Sequence, residues 1–211
     1  MTSNRHNDRV LDAARDCVLA YGVRRTTLTD VARRAGVSRM TIYRRWPDVR
    51  TLVADLMTRE WVRVVAELDT SEPVRAIVEG VRRLRAHPLL RKIVEADPEL
   101  LVPYLLDRRG ATHEAVLAVL EPAVGDRRRA RAVLLVAQSF LLSAPTMLDT
   151  APPPDPSIAA GLAPPPDPSI AAGPVAAPGP AADPDAAAAP GPVTMDQLDA
   201  ELTALLEAYL G

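Results

Sequence analysis

Lysine occurs once in this chain of 211 residues, as Lys92, and cysteine and phenylalanine also occur once each. A lone Cys17 excludes an intrachain disulfide framework, and its place on an apolar stripe reads as a buried thiol rather than a redox switch. The three histidines, His6, His87 and His113, show no metal-ligand spacing, so no metal is expected. No glycine-rich phosphate loop, no Ser/His/Asp arrangement and no metal cluster appears, which speaks against an enzyme and implies no cofactor. Long apolar runs are also lacking: the longest, 132–142, is interrupted by Gln138 and Ser139 and is too short to span a bilayer. The N-terminus is polar, without the apolar core of a secretion signal, so a soluble cytoplasmic protein with no membrane partner is expected. No segment alternates in the manner of a strand, which leaves an all-α chain.

Charge of one sign is missing locally as well. Residues 151–211 carry eight acidic side chains and no basic one, whereas residues 1–50 hold eleven arginines against five acids, and 51–150 are balanced. The overall charge of −2 conceals a basic N-terminal quarter suited to a polyanion.

Within that quarter, Thr26 to Trp46 reads TTLTDVARRAGVSRMTIYRRW. Thr27 suits a helix N-cap, with Asp30 three residues on to answer it in a reciprocal pair. Leu28, Val31, Ala32 and Ala35 fall on one helical face, and Gly36 offers a left-handed stop. Ser38 can cap a second helix whose buried pair is Ile42 and Trp46. Met40, Thr41, Tyr43 and Arg44 then lie on the free side, with Arg39 and Arg45 flanking it. Two short helices about a tight turn, apolar inward and basic outward, spell the helix-turn-helix that places one helix in the DNA major groove.

Residues 8–57 resemble the N-terminal DNA-binding domain of the tetracycline-repressor (TetR) family of bacterial regulators. The resemblance rests on Tyr21-Gly22 closing the first helix, Thr26-Thr27 opening the second, Ala35 to Ser38 at the turn, Thr41 to Tyr43, and Trp46-Pro47 leading into the fourth helix. Two positions depart from the family: Val49 stands where a phosphate-gripping lysine is usual, a task Arg50 can assume, and Met40 replaces a small residue. The resemblance implies a homodimeric, ligand-responsive transcriptional regulator, most often a repressor, acting on a palindromic operator of double-stranded DNA. Thr27, Thr29, Thr41, Tyr43 and Arg50 are expected at phosphates, with Ser38 at the start of the reading helix. Arg39, Met40 and Arg44 are expected at base edges, and Arg45 at either. The alternative is a helical scaffold whose DNA reader has decayed at Val49 and Met40.

The domains expected are a helix-turn-helix unit over 1–50, a helical ligand-binding and dimerisation body over 51–150, a linker over 151–192, and a last dimerisation helix within 193–211. Val10, Ala14, Cys17, Val18 and Tyr21 give the first helix a continuous stripe, and a second stripe runs from Val53 to Leu68 along the fourth. Further helices are predicted over 73–86, 88–95, 98–107, 112–124 and 127–147, with Pro122 ending one of them. By resemblance, 127–147 and 195–210 form the dimer interface, the latter through a stripe of Leu198, Leu202, Leu205, Leu206 and Tyr209. Trp61, Tyr104, His113, Gln138, Phe140 and Met147 are the candidates for an effector cavity, which the low aromatic content suggests is aliphatic. Residues 151–192 hold fourteen prolines and fourteen alanines, and the eleven residues APPPDPSIAAG occur twice unchanged, at 151–161 and 163–173. Such a composition buries too little apolar area to offset ordering, so a disordered or polyproline-like tether is expected there, long enough to loosen where the last helix docks.

Overall fold

A computed structural model describes residues 2–106, 110–148 and 192–211, so the expected tether lies outside the described residues. All described secondary structure is helical. Helix α1 spans Thr2–Tyr21, α2 Leu28–Ala35, α3 Arg39–Arg45 and α4 Val49–Ala66. The body follows as α5 Pro73–Ala86, α6 Pro88–Ala96, a 3-10 turn Pro98–Leu100, α7 Val102–Leu106, α8 Ala111–Val124, α9 Arg127–Leu142, a second 3-10 turn Ala144–Met147, and α10 Met195–Leu210.

The stops have local causes. Gly36 ends α2 at φ 65°, and the N–H of Trp46 bonds back to Ile42 to close α3. Asp48 caps α4, accepting the Thr51 N–H at 2.7 Å. Pro73 and Pro88 open α5 and α6, where a missing N–H leaves no broken bond. His87 closes α5 and starts α6, its Nδ1 accepting the Leu89 N–H at 3.3 Å.

Three expected boundaries are corrected. The 98–107 segment is not continuous, because Pro103 supplies no N–H to carry the helix through, and α7 restarts around it. Pro122 does not end α8. Its fixed φ is already helical, so it sits in the last turn at the loss of one bond, and Gly125 at φ 100° makes the stop. The 127–147 helix halts at Leu142, short of Pro145, and finishes as a 3-10 turn.

Two apolar clusters hold the chain. The first joins Val10, Ala14, Val18 and Cys17 of α1 to Val31, Ile42, Trp46, Leu52 and Leu56, and it extends to Leu89 and Ile93 of α6. The core of the first three helices therefore does not stop at residue 50. Tyr21 is a correction to the α1 stripe: as the last helical residue before Gly22 it stands exposed. The second cluster packs Ile77, Val78 and Val81 of α5 with Leu117, Val133, Leu202 and Leu206. The apolar stripe of α10 thus divides, with Leu202 and Leu206 in the chain's own core and Leu205 and Tyr209 left exposed.

Buried acids join the parts. Asp97, 2% exposed, accepts the Val23 N–H at 2.7 Å and the Arg24 N–H at 3.3 Å, tying the α1–α2 turn to the end of α6. Glu60 of α4 meets Arg59, Arg63 and, from α1, Arg15, with His87 Nε2 at 3.7 Å. Asp199 docks α10 on α5 through Arg82 at 2.8 Å and Arg85 at 3.1 Å. Burial alone raises the Asp199 carboxyl, but the hydrogen bonds and positive charges of the two guanidiniums together outweigh it and hold the group below its ordinary range.

Candidate DNA-binding surface and effector cavity

The second and third helices present their polar sides outward as a unit. Val31, Ala35, Ile42 and Trp46 are buried, and the Trp46 indole N–H donates to Asp55 of α4 at 2.8 Å, which locks the end of α3 to the next helix. On the opposite side Arg39, Met40, Tyr43, Arg44 and Arg45 are exposed, Met40 at 78%. Tyr43 is half-exposed at 51%, so it is not merely packing against α1. Arg39 and Arg44 form no ion pair among the described residues, which leaves their donors available. Arg45 lies over the Trp46 ring at 5.1 Å, a cation–π contact that restricts its reach.

The hydroxyls divide into free and committed ones. Ser38 caps α3 by accepting the Thr41 N–H at 3.1 Å and shares a 2.8 Å hydrogen bond with the Thr41 hydroxyl. Thr27 accepts the Asp30 N–H at 3.1 Å and gives its own proton to the Asp30 carboxylate at 2.6 Å. The reciprocal bond expected from Asp30 to the Thr27 backbone is replaced by this side-chain pair, and Arg33 neutralises the carboxylate at 2.9 Å. The Thr27 hydroxyl is therefore occupied, whereas Thr29 in the first turn of α2 has no such tie among the described residues. Arg50, in the first turn of α4, is exposed and within electrostatic reach of Glu99.

Behind this surface lies a cavity of about 620 Å³, walled by α4, α5, α8 and α9. Of the expected cavity residues, Trp61, His113 and Gln138 line it. Phe140 does not: the turn of α9 directs it into the second core cluster. Met147 does not either, standing 63% exposed on the 3-10 turn beyond the end of α9. The side chain of Tyr104 lies outside what is described. Sequence reading missed Thr58 and Thr112, which meet across α4 and α8 at 2.8 Å in the wall. Thr58 lies on the Val53–Leu68 stripe's own face, and that interruption by a hydroxyl was the available signal. Trp61 also meets His87 edge-on, ring centres 5.4 Å apart. Burial is the main reason the His87 imidazole is pushed below its ordinary value, against the opposing pull of Glu60. Cys17 is buried in the first core, and burial raises its thiol, so it stays protonated.

A family model described as bacterial regulatory proteins, tetR family, matches residues 10–56. An HTH-type transcriptional regulator of Mycobacterium tuberculosis is 38% identical, over 68% of this chain and 85% of the relative. The chain belongs to the TetR family. A further relative, the HTH-type transcriptional regulator AqdR of Rhodococcus erythropolis, is 44% identical over 28% of this chain and 30% of its own. Among solved structures, the TetR-family repressor AlkX from Dietzia shares the fold at TM-score 0.58 and 21% identity, covering 97% of this chain and 94% of its own. This TetR-family member is a DNA-binding transcriptional regulator, all-helical, with its helix-turn-helix at the N-terminus. No described helix is long and apolar enough to cross a membrane.

Proposed function

We propose that this regulator acts without catalysis as a homodimeric, ligand-responsive repressor that reads a palindromic operator through the major groove and is released by a small molecule. The observation that carries the reading is the sharing of α4. Its first turn and its Asp55–Trp46 bond fix the reading helix, while Thr51, Thr58 and Trp61 of the same helix form a cavity wall. A molecule that fits the cavity in one setting of α4 and not another shifts the population between two spacings of the reading helices.

Roles on the DNA follow from what each side chain is free to do. Arg39 and Arg44 reach base edges, where arginine favours guanine O6 and N7, and Met40 packs on a thymine methyl. Thr29, Tyr43 and Arg50 contact phosphates, and Ser38 and Thr41 position the N-terminus of α3. Thr27 contributes by capping α2 rather than by its hydroxyl. Arg45, stacked on Trp46, supports the surface from its edge.

The second copy is the partner for the exposed apolar side of α9 and α10, where Leu135 (70% exposed), Leu205 and Tyr209 lie. Apart from the buried Asp199 and the intrachain-paired Arg127, α10 exposes Asp196, Glu201 and Glu207 and α9 exposes Arg128, Arg129 and Arg131, a complementarity suited to twofold pairing. Twofold symmetry then places two reading helices about one DNA turn apart, on the order of 34 Å.

Selection from a randomised duplex pool, at two salt concentrations, tests this. Enrichment of one palindromic sequence, bound with nanomolar affinity and lost in Arg44→Ala, is the expected result. Weak binding of all sequences alike, unchanged by Arg44→Ala, would leave only a helical scaffold.

A further inference from the structure

The cavity wall is mostly apolar, with Leu84, Leu90, Leu120, Leu134 and Leu141 contributed by four different helices. Several of its neutral polar groups are already paired. Thr58 gives its proton to the Ala54 carbonyl and meets the Thr112 hydroxyl, and His113 accepts the Gly110 N–H at Nδ1. Charge enters the wall at three side chains, Asp48, Arg50 and Asp55, all belonging to α4 or its cap.

The three are not equivalent. Asp48 and Arg50 are exposed to water. One oxygen of Asp48 accepts both the N–H and the hydroxyl of Thr51, at 2.7 and 2.9 Å. Arg50 lies within electrostatic reach of Asp48 and of Glu99, the latter outside the wall, so its charge is answered within the chain. Asp55 differs from both. It is half-buried and makes no ion pair among the described residues. One of its oxygens accepts the Trp46 indole N–H at 2.8 Å, and the other has no partner among the described residues. A carboxylate drawn from water is ordinarily met by an opposite charge or by several donors. A single neutral N–H leaves Asp55 short of either.

That deficit discriminates among ligand heads. A protonated nitrogen brings both a donor and the missing charge, and such charge-assisted bonds are the stronger kind. A hydroxyl brings the donor alone. A carboxylate sets a like charge beside Asp55. Trp61, of the residue type whose ring face attracts cations best, lines the same cavity, while the leucines accept an apolar body.

We propose that the effector is an organic cation, an apolar body bearing a protonated nitrogen, with Asp55 as its counter-charge. The proposal rests on the ligand-responsive reading above and gives it a chemical class. Asp55 also supplies the route to DNA. The carboxylate that meets the ligand is the one that holds Trp46, the residue closing α3, so a cation that draws it toward the cavity loosens the end of the reading helix.

The test uses the full chain at neutral pH and two matched probe sets, so that head charge varies on two unlike bodies. The first is decylamine, 1-decanol and decanoate; the second is 1-adamantanamine, 1-adamantanol and 1-adamantanecarboxylate. Calorimetry measures binding, and fluorescence anisotropy measures operator release. In each set the amine is expected to bind tighter than the alcohol by about tenfold or more, with the carboxylate weakest. Asp55→Asn keeps an oxygen for the indole and loses the charge. There the amine falls to the level of the alcohol, while alcohol binding persists and shows the cavity intact; Asp55→Glu, charged again, recovers the advantage. Amines that bind no tighter than alcohols, or an amine advantage that survives Asp55→Asn, overturn the proposal. If alcohols or carboxylates bind best and release the operator, the cation class falls and the ligand-responsive reading stands. If the amines bind as expected but operator affinity does not change, the class stands and the ligand-responsive reading falls.

Discussion

Asp97 and Gly22 form a pair whose energetics can be worked out from their geometry. Gly22 holds φ +79°, and a Cβ built on it falls 3.1 Å from Oδ2 of Asp97. That oxygen already accepts the buried Val23 N–H. Asp97→Ala leaves this N–H without a partner, a loss of about 1–3 kcal/mol, and the weaker bond to the Arg24 N–H adds a fraction. The ion pair to Arg24 adds almost nothing, because Arg24 is 70% exposed. A total near 3 kcal/mol is expected. Gly22→Ala incurs about 1–2 kcal/mol of left-handed strain, plus the displacement of the carboxylate. The second component vanishes once the carboxylate is gone, so the double variant should be less destabilised than the sum of the singles by about 1 kcal/mol. Urea denaturation at fixed protomer concentration measures all three. Additivity within about 0.3 kcal/mol, or an Asp97→Ala loss below about 1 kcal/mol, would refute the assignment of Asp97 as the clamp on the α1–α2 turn.

Other consequences follow from the same contacts. Arg44→Ala should weaken operator binding by about 1–3 kcal/mol and relax preference at one base position, measured by fluorescence anisotropy across single-base variants. Thr27→Ala should lower stability by about 1 kcal/mol through loss of the α2 cap while leaving the salt slope of DNA binding unaltered; a slope change of about one unit would return its hydroxyl to the phosphate. Leu205→Asp should leave the fold intact and shift sedimentation toward the monomer, since Leu205 points away from the chain's own core; an unchanged dimer would place the interface elsewhere. On acidification, His87 and Asp199 act in the same direction. Both have folded values below their ordinary ones, so each contributes stability above its unfolded value, lost as pH falls through the folded value. His87 begins to cost below about pH 6.5 and Asp199 only below about pH 4. A thermal midpoint that rose between pH 7 and pH 5 would contradict this sign for His87.

The local code of the reading unit was legible in the order of residues. Caps at Thr27 and Ser38, the Gly36 stop and the Ile42–Trp46 pair each depend on neighbours within four positions, a range that the helical period fixes. The all-helical class followed for the same reason, as did the identities of Trp61, His113 and Gln138 as cavity candidates. Prolines misled at helix ends, because Pro122 in a last turn and Pro103 in a first look alike in sequence but sacrifice different bonds.

Long-range choices were decided only in three dimensions. The α10 stripe names five apolar residues, and only packing shows that Leu202 and Leu206 face α5 and α9 while Leu205 and Tyr209 face outward. Phe140 and Gln138 are two positions apart on α9, yet one enters the core and the other the cavity, since about 200° of helical rotation separates them. The acids Asp97 and Asp199 carry no sequence signal for burial, because their partners lie far along the chain, 74 residues for Val23 and Asp97 and 117 for Arg82 and Asp199. Composition and short-range periodicity thus determined the helices and the basic reading face. The tertiary fold decided which face of each helix meets its own chain, DNA, a second copy or a ligand, because those faces are defined by what packs against them.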